Sequence, residues 1–364
     1  MSAPRISICL PNLNTRPFLE ERMETILAQT MTDWELIVCD SHSDDGAWEF
    51  FQEFADDPRV HLHQVPREGI YAGWNECLRR ARGEYVYIAT SDDTAEPDLL
   101  EKLAGILDME PEIQVVACDY DRIDERGRRM AGPIEEPRRI FGEWADRPCV
   151  RSGTSEFLIN ICMGPVWGPA HSILFRGKLL ETTGLFRTDV GYVADSEWAL
   201  RASLATNVAY LPERLVSWRV HEGQATPRNW TLDARKALLE GARRVIRDTD
   251  ANLPDEWKRV RDWGARLVRP RLHAYLDLFR LQRSVARWAP KAFARGLCAA
   301  FRREPAWALG RALRGFPEGP EADCDMVSAA RELLDIFQPP WPPKPARYPA
   351  EAAQGRLSDL TQTT

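Results

Sequence analysis

Residues 84–97 read EYVYIATSDDTAEP, and this stretch decides the fold. Its first part, Tyr85 to Ile88, is aromatic and β-branched, which favours a buried strand. Asp92 and Asp93 stand where that strand stops, and Pro97 introduces a segment with helical spacing. Ligands of open α/β sheets bind beyond the carboxyl ends of the strands. The pair is therefore a candidate Mg²⁺ or Mn²⁺ site, and the structural alternative is that it caps the following helix.

The first hundred residues alternate between short apolar runs and segments with helical spacing. The predicted strands cover residues 5–10, 34–39, 60–65 and 84–90, and the predicted helices cover residues 18–27, 48–54 and 69–82. This β-α-β-α-β-α-β order indicates a parallel sheet with helices on both faces. Polar residues gather where the strands end.

The composition is that of a folded protein with reduced thiols. The chain has 364 residues, of which 44% are apolar, so one large or two medium domains are expected. Its eight Cys are scattered and form no CxxC pair, which favours buried thiols over a disulfide framework or a zinc site. The N-terminus leads directly into a strand, and no apolar run reaches transmembrane length. These features predict a cytoplasmic protein.

Five features in order resemble the nucleotide-binding half of the family 2 glycosyltransferases, which have the GT-A fold. They are a strand ending at Pro11 and Asn14, the LAQT run at 27–30, Asp40 after the second strand, the ARGEY run at 81–85, and the Asp92-Asp93 pair. The resemblance covers residues 5–225. It implies an α/β GT-A domain with a mixed, mainly parallel sheet over 1–226. Residues 1–118 would bind the nucleotide sugar, and residues 119–226 would form the acceptor half.

The resemblance implies an inverting transfer of one sugar per encounter from a nucleotide-diphosphate donor, with a UDP-sugar favoured. The acceptor would be a hydroxyl of a glycan or of a lipid-linked glycan. Asp93 is expected to bind the Mn²⁺ or Mg²⁺ ion, and Asp92 to bind the ribose or share the metal. His221 lies in an Arg-x-His run similar to a family signature and is expected near the metal or the diphosphate, with a structural role equally open. The remaining expected donor-binding residues are Pro11, Asn14, Asp40 and Asn75.

The acceptor half offers a base and an aromatic side chain. Asp195 and Arg201 keep the family spacing for a general base at the start of a helix, although Asp195 would also serve as a helix N-cap. Glu197 is the fallback base. Trp167 lies among Gly and Pro residues at 163–169, where it would either stack on an acceptor sugar or plug the core.

Three positions depart from the family pattern. Ser41, Thr90 and Ala194 stand where the family often carries an acid. These losses favour an alternative, a catalytically inactive module that binds a nucleotide sugar or a partner. A nucleotidyltransferase is disfavoured, because residues 11–17 contain no Gly-rich phosphate-binding loop.

The region after residue 228 is basic and has helical spacing. Residues 227–338 are predicted to form an α-helical domain, and residues 256–316 carry 15 Lys+Arg against four Asp+Glu. One interpretation is a peripheral contact with anionic lipid at the inner face of the cell membrane. The favoured interpretation is a helical domain packed on the acidic catalytic half. No nucleic-acid recognition motif occurs, and the Pro-rich residues 339–364 are predicted to be an extended or disordered tail.

Overall fold

The computed structural model describes residues 3–130, 135–164, 166–224 and 338–347, together with individual helical residues within 241–248 and 327–335. Its strands are β1 (Ile6–Asn12), β2 (Trp34–Asp40), β3 (Val60–Gln64), β4 (Tyr85–Ile88), β5 (Thr94–Ala95), β6 (Val115–Asp124), β7 (Cys149–Arg151), β8 (Ile173–Arg176), β9 (Val208–Val220) and β10 (Lys344–Pro345). Its helices are α1 (Leu19–Leu27), α2 (Ala47–Gln52), α3 (Ile70–Leu78), α4 (Leu99–Met109), α5 (Glu135–Phe141), α6 (Gly153–Met163), α7 (Leu179–Thr183) and α8 (Ala194–Ala205). Short 3-10 turns lie at Arg16–Phe18, Gly142–Asp146, Ala170–Ser172 and Gly191–Val193.

One mixed sheet carries the fold, with the strand order β10-β7-β9-β6-β8-β4-β1-β2-β3 and with β5 paired to β9. The strands β4, β1, β2 and β3 run parallel, so their carboxyl ends meet at one edge. Every residue of β1 and β2 is buried, as expected for strands covered on both faces. The prediction of an α/β fold with a mixed sheet is confirmed.

Helices cover both faces of the sheet and define two cores. The helices α1, α2 and α4 contribute Leu19, Phe51 and Leu103 to one core. On the other face, α3, α6 and α8 contribute residues such as Trp74 and Trp198. The pattern follows from amphipathic helices that alternate between the faces of a parallel sheet.

Strands β6 and β9 pair along their length and extend towards the turn after β4. This turn contains Asp92 and Asp93 and is called the carboxylate turn below. Its register shifts at Cys118/Asp119 and again at Asp119/Tyr120, and such bulges bend and twist a strand. The far half of β9 then pairs with β5, where Thr94 lies opposite Ser217. The end of β9 is thereby fixed beside Asp92 and Asp93.

The C-terminal part of the chain contacts this domain. The described residues within 241–248 and 327–335 are helical, and the second core includes Val245, Val327 and Leu333. Part of the predicted tail is ordered: β10 pairs with β7, and the ring of Trp341 lies 5.6 Å from that of Phe141. The basic block at 256–316 and the chain end after 347 lie outside the described residues.

Two further expectations concern the thiols and the membrane. The six Cys of the described segments are free and buried, as predicted: Cys9, Cys39, Cys77, Cys118, Cys149 and Cys162. Among the helices of the described segments, none combines the length and the apolar character that a bilayer crossing requires.

Candidate active site

The carboxyl ends of β1 and β2 are joined by a buried polar network around Asp40. One oxygen of this fully buried carboxylate accepts hydrogen bonds from Asn12 Nδ2 at 2.7 Å and Ser43 Oγ at 2.6 Å. The other oxygen accepts from the Ser43 backbone N–H at 2.9 Å. Asp40, predicted to bind the donor, therefore braces the loop after β2 and presents no free oxygen to a ligand.

The loops after β1 and β2 are clasped by a reciprocal side-chain pair. Asn14 Nδ2 donates to Asp44 Oδ1 at 2.9 Å, and the Asp44 backbone N–H donates to Asn14 Oδ1 at 3.0 Å. Asn14 adopts a positive φ of 55°, which Asn tolerates better than most residues. Pro11 is buried at the end of β1, and a Cβ on Gly73 of α3 would lie 3.7 Å from its Cβ. The loops after β1 and β2 therefore lie beside α3 at this edge of the sheet.

Asn75 has a different environment from the one predicted. Its Nδ2 donates to the Phe186 carbonyl at 2.8 Å, and its Oδ1 accepts from the Phe186 N–H at 3.0 Å. Both polar atoms of this buried amide are used within the protein, so the geometry argues against a donor contact. Asn75 instead ties α3 to the segment that leads into α8.

We expect Asn75→Ala to lower the free energy of unfolding by about 2–4 kcal/mol, because it leaves two buried backbone groups unpaired. Nucleotide affinity should stay at the wild-type value. Urea denaturation and nucleotide titration would measure the two quantities. Asn160→Ala is the matched control, since Asn160 is a buried amide bonded to Val166 N and Ser203 Oγ. A selective loss of nucleotide affinity in Asn75→Ala would restore the donor-binding role.

Asp93 is buried and bonded on both oxygens. Its Oδ1 accepts the Arg219 backbone N–H at 2.7 Å, and its Oδ2 lies 3.0 Å from His171 Nδ1. The Thr90 hydroxyl also donates to Oδ2. Burial opposes ionisation, but His171 and these hydrogen bonds outweigh it, so the pKa of Asp93 lies below its ordinary value. Both oxygens of Asp93 thus have partners within the protein and the residue is 3% exposed, so its role as the metal ligand stays a prediction.

Asp92 is the more exposed of the two neighbouring carboxylates. It lies at the carboxyl ends of the parallel strands, and this end of the sheet is called the rim below. Its side chain is 23% exposed, and its Oδ2 lies 2.9 Å from Nε2 of His221. The His221 ring packs at 4.7 Å against that of Phe18, and the His221 N–H donates to Gln224 Oε1 at 3.0 Å. The structure thus brings together two of the predicted residues, with Asp92 in the place expected for Asp93.

The donor set at this rim fits a divalent ion completed by a substrate. Across the described segments, no group of three or more His, Cys, Asp or Glu side chains is arranged to hold a metal. Asp92 and His221 supply one carboxylate oxygen and one imidazole nitrogen. Ions that act on nucleotides usually take only one or two protein carboxylates, with phosphates and water as further ligands. The imidazole favours Mn²⁺ over Mg²⁺, which prefers oxygen ligands.

Asp195 is half-buried in the first turn of α8, within the part of the chain predicted to bind the acceptor. The N-cap of α8 is Val193, so Asp195 does not cap the helix. Its Oδ1 accepts from the Ser196 N–H at 2.7 Å, and the Tyr71 hydroxyl is a further hydrogen-bond partner. Burial outweighs these bonds and raises the pKa of Asp195 above its ordinary value. A carboxylate with a raised pKa is better suited to accept a proton near neutral pH.

Glu197, the fallback base, forms a buried ion pair instead. Its Oε2 lies 2.6 Å from Arg201 Nη2, and its side chain is 1% exposed. Arg201 also donates to the Leu185 carbonyl at 3.0 Å. The pair fixes the loop before α8, and no oxygen of Glu197 faces an acceptor.

Trp167 is a core residue. It is 2% exposed, and its Nε1 donates to Glu156 Oε2 at 2.5 Å. Burial raises the pKa of Glu156, which lies on α6. The expectation that Trp167 stacks on an acceptor sugar is contradicted by this burial, and the core alternative holds.

Three residues that contact the carboxylates of the candidate site were not singled out from the sequence. They are Tyr71, which contacts Asp195, His171, which contacts Asp93, and Arg219, whose side chain binds the Asp92 carbonyl. Tyr71 and His171 lie far along the chain from the carboxylates they meet. Arg219 was noted only as part of the Arg-x-His run, which is the one signal that marked it.

Residues 7–157 match the family model described as Glycosyl transferase family 2. The putative glycosyltransferase EpsH of Bacillus subtilis is 26% identical over 227 residues, which cover 61% of this chain and 62% of EpsH. The chain thus spans about three fifths of the length of this relative.

Solved structures share the fold. The structure of S. aureus TarS in complex with UDP-GlcNAc is 15% identical, with a TM-score of 0.55 over 83% of this chain and 92% of that one. The mannosyltransferase PcManGT from Pyrobaculum calidifontis, in complex with GDP-Man and Mn²⁺, is 22% identical, with a TM-score of 0.54 over 93% and 88%. At these identities the likeness establishes a GT-A-like fold alone.

Proposed function

We propose that this chain, whose residues 7–157 match the family model described as Glycosyl transferase family 2, transfers a sugar from a nucleotide-diphosphate donor to a hydroxyl of a glycan or lipid-linked acceptor. A UDP-sugar is the favoured donor, and the anomeric carbon is inverted. Two observations support the proposal, one for the metal and one for the base. The Asp92–His221 pair faces the rim, and Asp195 lies at the start of α8 with a raised pKa.

Asp195 is the proposed general base. In this role its carboxylate takes the proton of the acceptor hydroxyl as the new glycosidic bond forms. A single base, opposite the leaving group, implies one displacement and therefore inversion. The Tyr71 hydroxyl and the Ser196 N–H orient the carboxylate during the transfer.

Asp92 and His221 are the proposed residues that hold the divalent ion. The ion, when bound, supplies Lewis-acid stabilisation of the leaving diphosphate. Asp93 has an indirect role in this proposal, because its bonds to Arg219 and His171 fix the turn that presents Asp92.

The loops after β1 and β2 are the proposed walls of the nucleotide pocket, with Pro11 and Asn14 in contact with the base or ribose. Asp40 acts there by holding the loop after β2. Arg67 is a further candidate at this rim, since it is half-exposed and its Nη2 donates to the His42 carbonyl at 2.6 Å. UDP-GlcNAc and GDP-Man bind to two proteins of the same fold, so the base has to be found by experiment.

A catalytically inactive binding module is the second candidate, and one observation favours it. Thr90 replaces an acid common in the family, and its hydroxyl is bonded to Asp93 rather than open to a ligand. Binding of a nucleotide sugar without any turnover would support this candidate.

The acceptor and the cellular setting are proposed from the sequence. The acceptor is a growing glycan or a lipid-linked glycan, and the protein works in the cytoplasm without contact to nucleic acid. A peripheral contact of residues 256–316 with anionic lipid remains the alternative to packing on the catalytic half, and these residues lie outside the described structure.

A ligand panel tests the function. Thermal unfolding would be followed with UDP-, GDP-, dTDP- and CMP-sugars, each with Mn²⁺ and with chelator, and with Mn²⁺ alone as the control. We expect a UDP-sugar to raise the melting temperature only with Mn²⁺, because the proposed site binds the diphosphate through the ion. A ligand at 100 times its Kd stabilises the native state by about 2.7 kcal/mol. If no donor shifts the transition, the proposed donor site is wrong.

A further inference from the structure

The Arg219 side chain joins three separate segments of the chain. It is 1% exposed, and its Nε donates to the Asp92 carbonyl at 2.7 Å. Nη1 donates to the Asp124 carbonyl at 3.2 Å, and Nη2 donates to Glu21 Oε2 at 2.5 Å. The guanidinium therefore links the carboxylate turn, the end of β6 and helix α1.

The backbone of Arg219 binds the same turn a second time. Its N–H donates to Asp93 Oδ1 at 2.7 Å, while its side chain holds the Asp92 carbonyl. The turn is thus fixed at the carbonyl of Asp92 and at the side chain of Asp93. These two contacts restrict the direction of the Asp92 side chain, because they hold the backbone directly after its Cα.

Arg219 is also linked to His221, the partner of Asp92. The Arg219 guanidinium lies 5.1 Å from the centre of the Phe18 ring, and the His221 ring lies 4.7 Å from the same ring. Phe18 therefore packs against both side chains. Only one residue separates Arg219 from His221 in sequence. We therefore expect a shift of Arg219 to move the His221 imidazole as well as the Asp92 carboxylate.

We propose that Arg219 is the positioning residue of the metal site: its guanidinium holds Asp92 and His221 in the arrangement that binds Mn²⁺. This inference rests on the proposed function. Arg219 touches no ligand, because it is buried beneath the turn. Lys would not replace it, since a guanidinium presents five donors in a planar fork and an ammonium has three donors on a flexible stem.

The test compares Arg219→Lys with Arg176→Lys. Arg176 is a matched control, because it is 8% exposed and its Nε and Nη2 donate to the Ile113 and Leu107 carbonyls at 3.1 and 2.7 Å. It lies opposite Tyr85 at the start of β4, which is the other edge of the sheet. Free Mn²⁺ would be titrated by electron paramagnetic resonance in the presence of UDP, and stability would be followed by urea denaturation.

We expect Arg219→Lys to weaken Mn²⁺ affinity by about 10–100-fold, the range found when partners of metal ligands are removed. Arg176→Lys should lose stability and keep the wild-type Mn²⁺ affinity. Equal Mn²⁺ affinity in wild type and Arg219→Lys, or an equal loss in both variants, would overturn the positioning role.

A second variant and the Mn²⁺ binding of the wild-type protein give two further tests of the positioning role. If Arg219→Lys does not fold, Glu21→Ala removes the partly exposed partner of Nη2. This variant should still weaken Mn²⁺ binding, and unchanged binding there would contradict the inference. If wild-type protein binds no Mn²⁺ with UDP, the proposed metal site fails, and the inference fails with it. Wild-type binding with an unaffected Arg219→Lys overturns the inference alone.

Discussion

Asp195→Asn is expected to lower kcat by about 10²–10⁴-fold, the range attributed to general acid–base catalysis. The amide cannot accept the acceptor proton, but it has nearly the same shape, so donor affinity and the melting temperature should change little. Single-turnover assays with a saturating donor would measure the rate. Asp189→Asn is the matched control, because this exposed Asp lies in the segment before α8 and pairs with Arg187. A variant with the wild-type rate would place the base elsewhere.

The same base predicts the pH dependence. Burial raises the pKa of Asp195, and the Tyr71 hydrogen bond works against that rise. Since only the ionised carboxylate accepts a proton, kcat/KM should fall as the pH drops through this pKa, above the range of an ordinary Asp. Tyr71→Phe removes a donor to the carboxylate, so the acid limb should move to higher pH. An unchanged limb would show that Tyr71 does not act on the base.

The pair Asp92→Asn and Asp93→Asn separates the two neighbouring carboxylates. Asp92→Asn should weaken Mn²⁺ affinity by about 100-fold or more, at least the loss seen when partners of ligands are removed. Its stability should change by less than about 1 kcal/mol, since the side chain lies at the rim. Asp93→Asn should instead lower the free energy of unfolding by about 2–4 kcal/mol, because His171 and the Arg219 N–H lose a buried charged partner.

Mn²⁺ titration and urea denaturation of both variants would measure these effects. A selective loss of Mn²⁺ affinity in Asp93→Asn, with Asp92→Asn unaffected, would return the metal to the residue predicted from the sequence.

The parallel half of the sheet was predictable because its signals are local. Each of β1, β2 and β4 is a mainly apolar run that is followed by polar residues, which is typical of a strand covered on both faces. The edge that holds the candidate site follows from that order alone. The residues at this edge could therefore be named before their contacts were known.

The contacts within the candidate site were not predictable, because they join residues that lie far apart in the chain. Asp92 and Asp93 are neighbours, but Asp93 is buried by a contact 126 residues away, and Asp92 is paired with a His 129 residues away. Trp167 gave the same difficulty. Its Gly and Pro neighbours indicated a loop, whereas its burial depends on Glu156 of α6.

Helix α3 lies in the part of the chain predicted to bind the nucleotide, yet two of its side chains contact the part predicted to bind the acceptor. Tyr71 is bonded to Asp195, and Asn75 is bonded to the backbone of Phe186. A chimera spliced near residue 118 would therefore inherit the proposed general base from one parent and the helix that contacts it from the other. An exchange of acceptor specificity between relatives would therefore require α3 to be exchanged together with the residues after 118. The segments that have to be exchanged are not continuous in the chain.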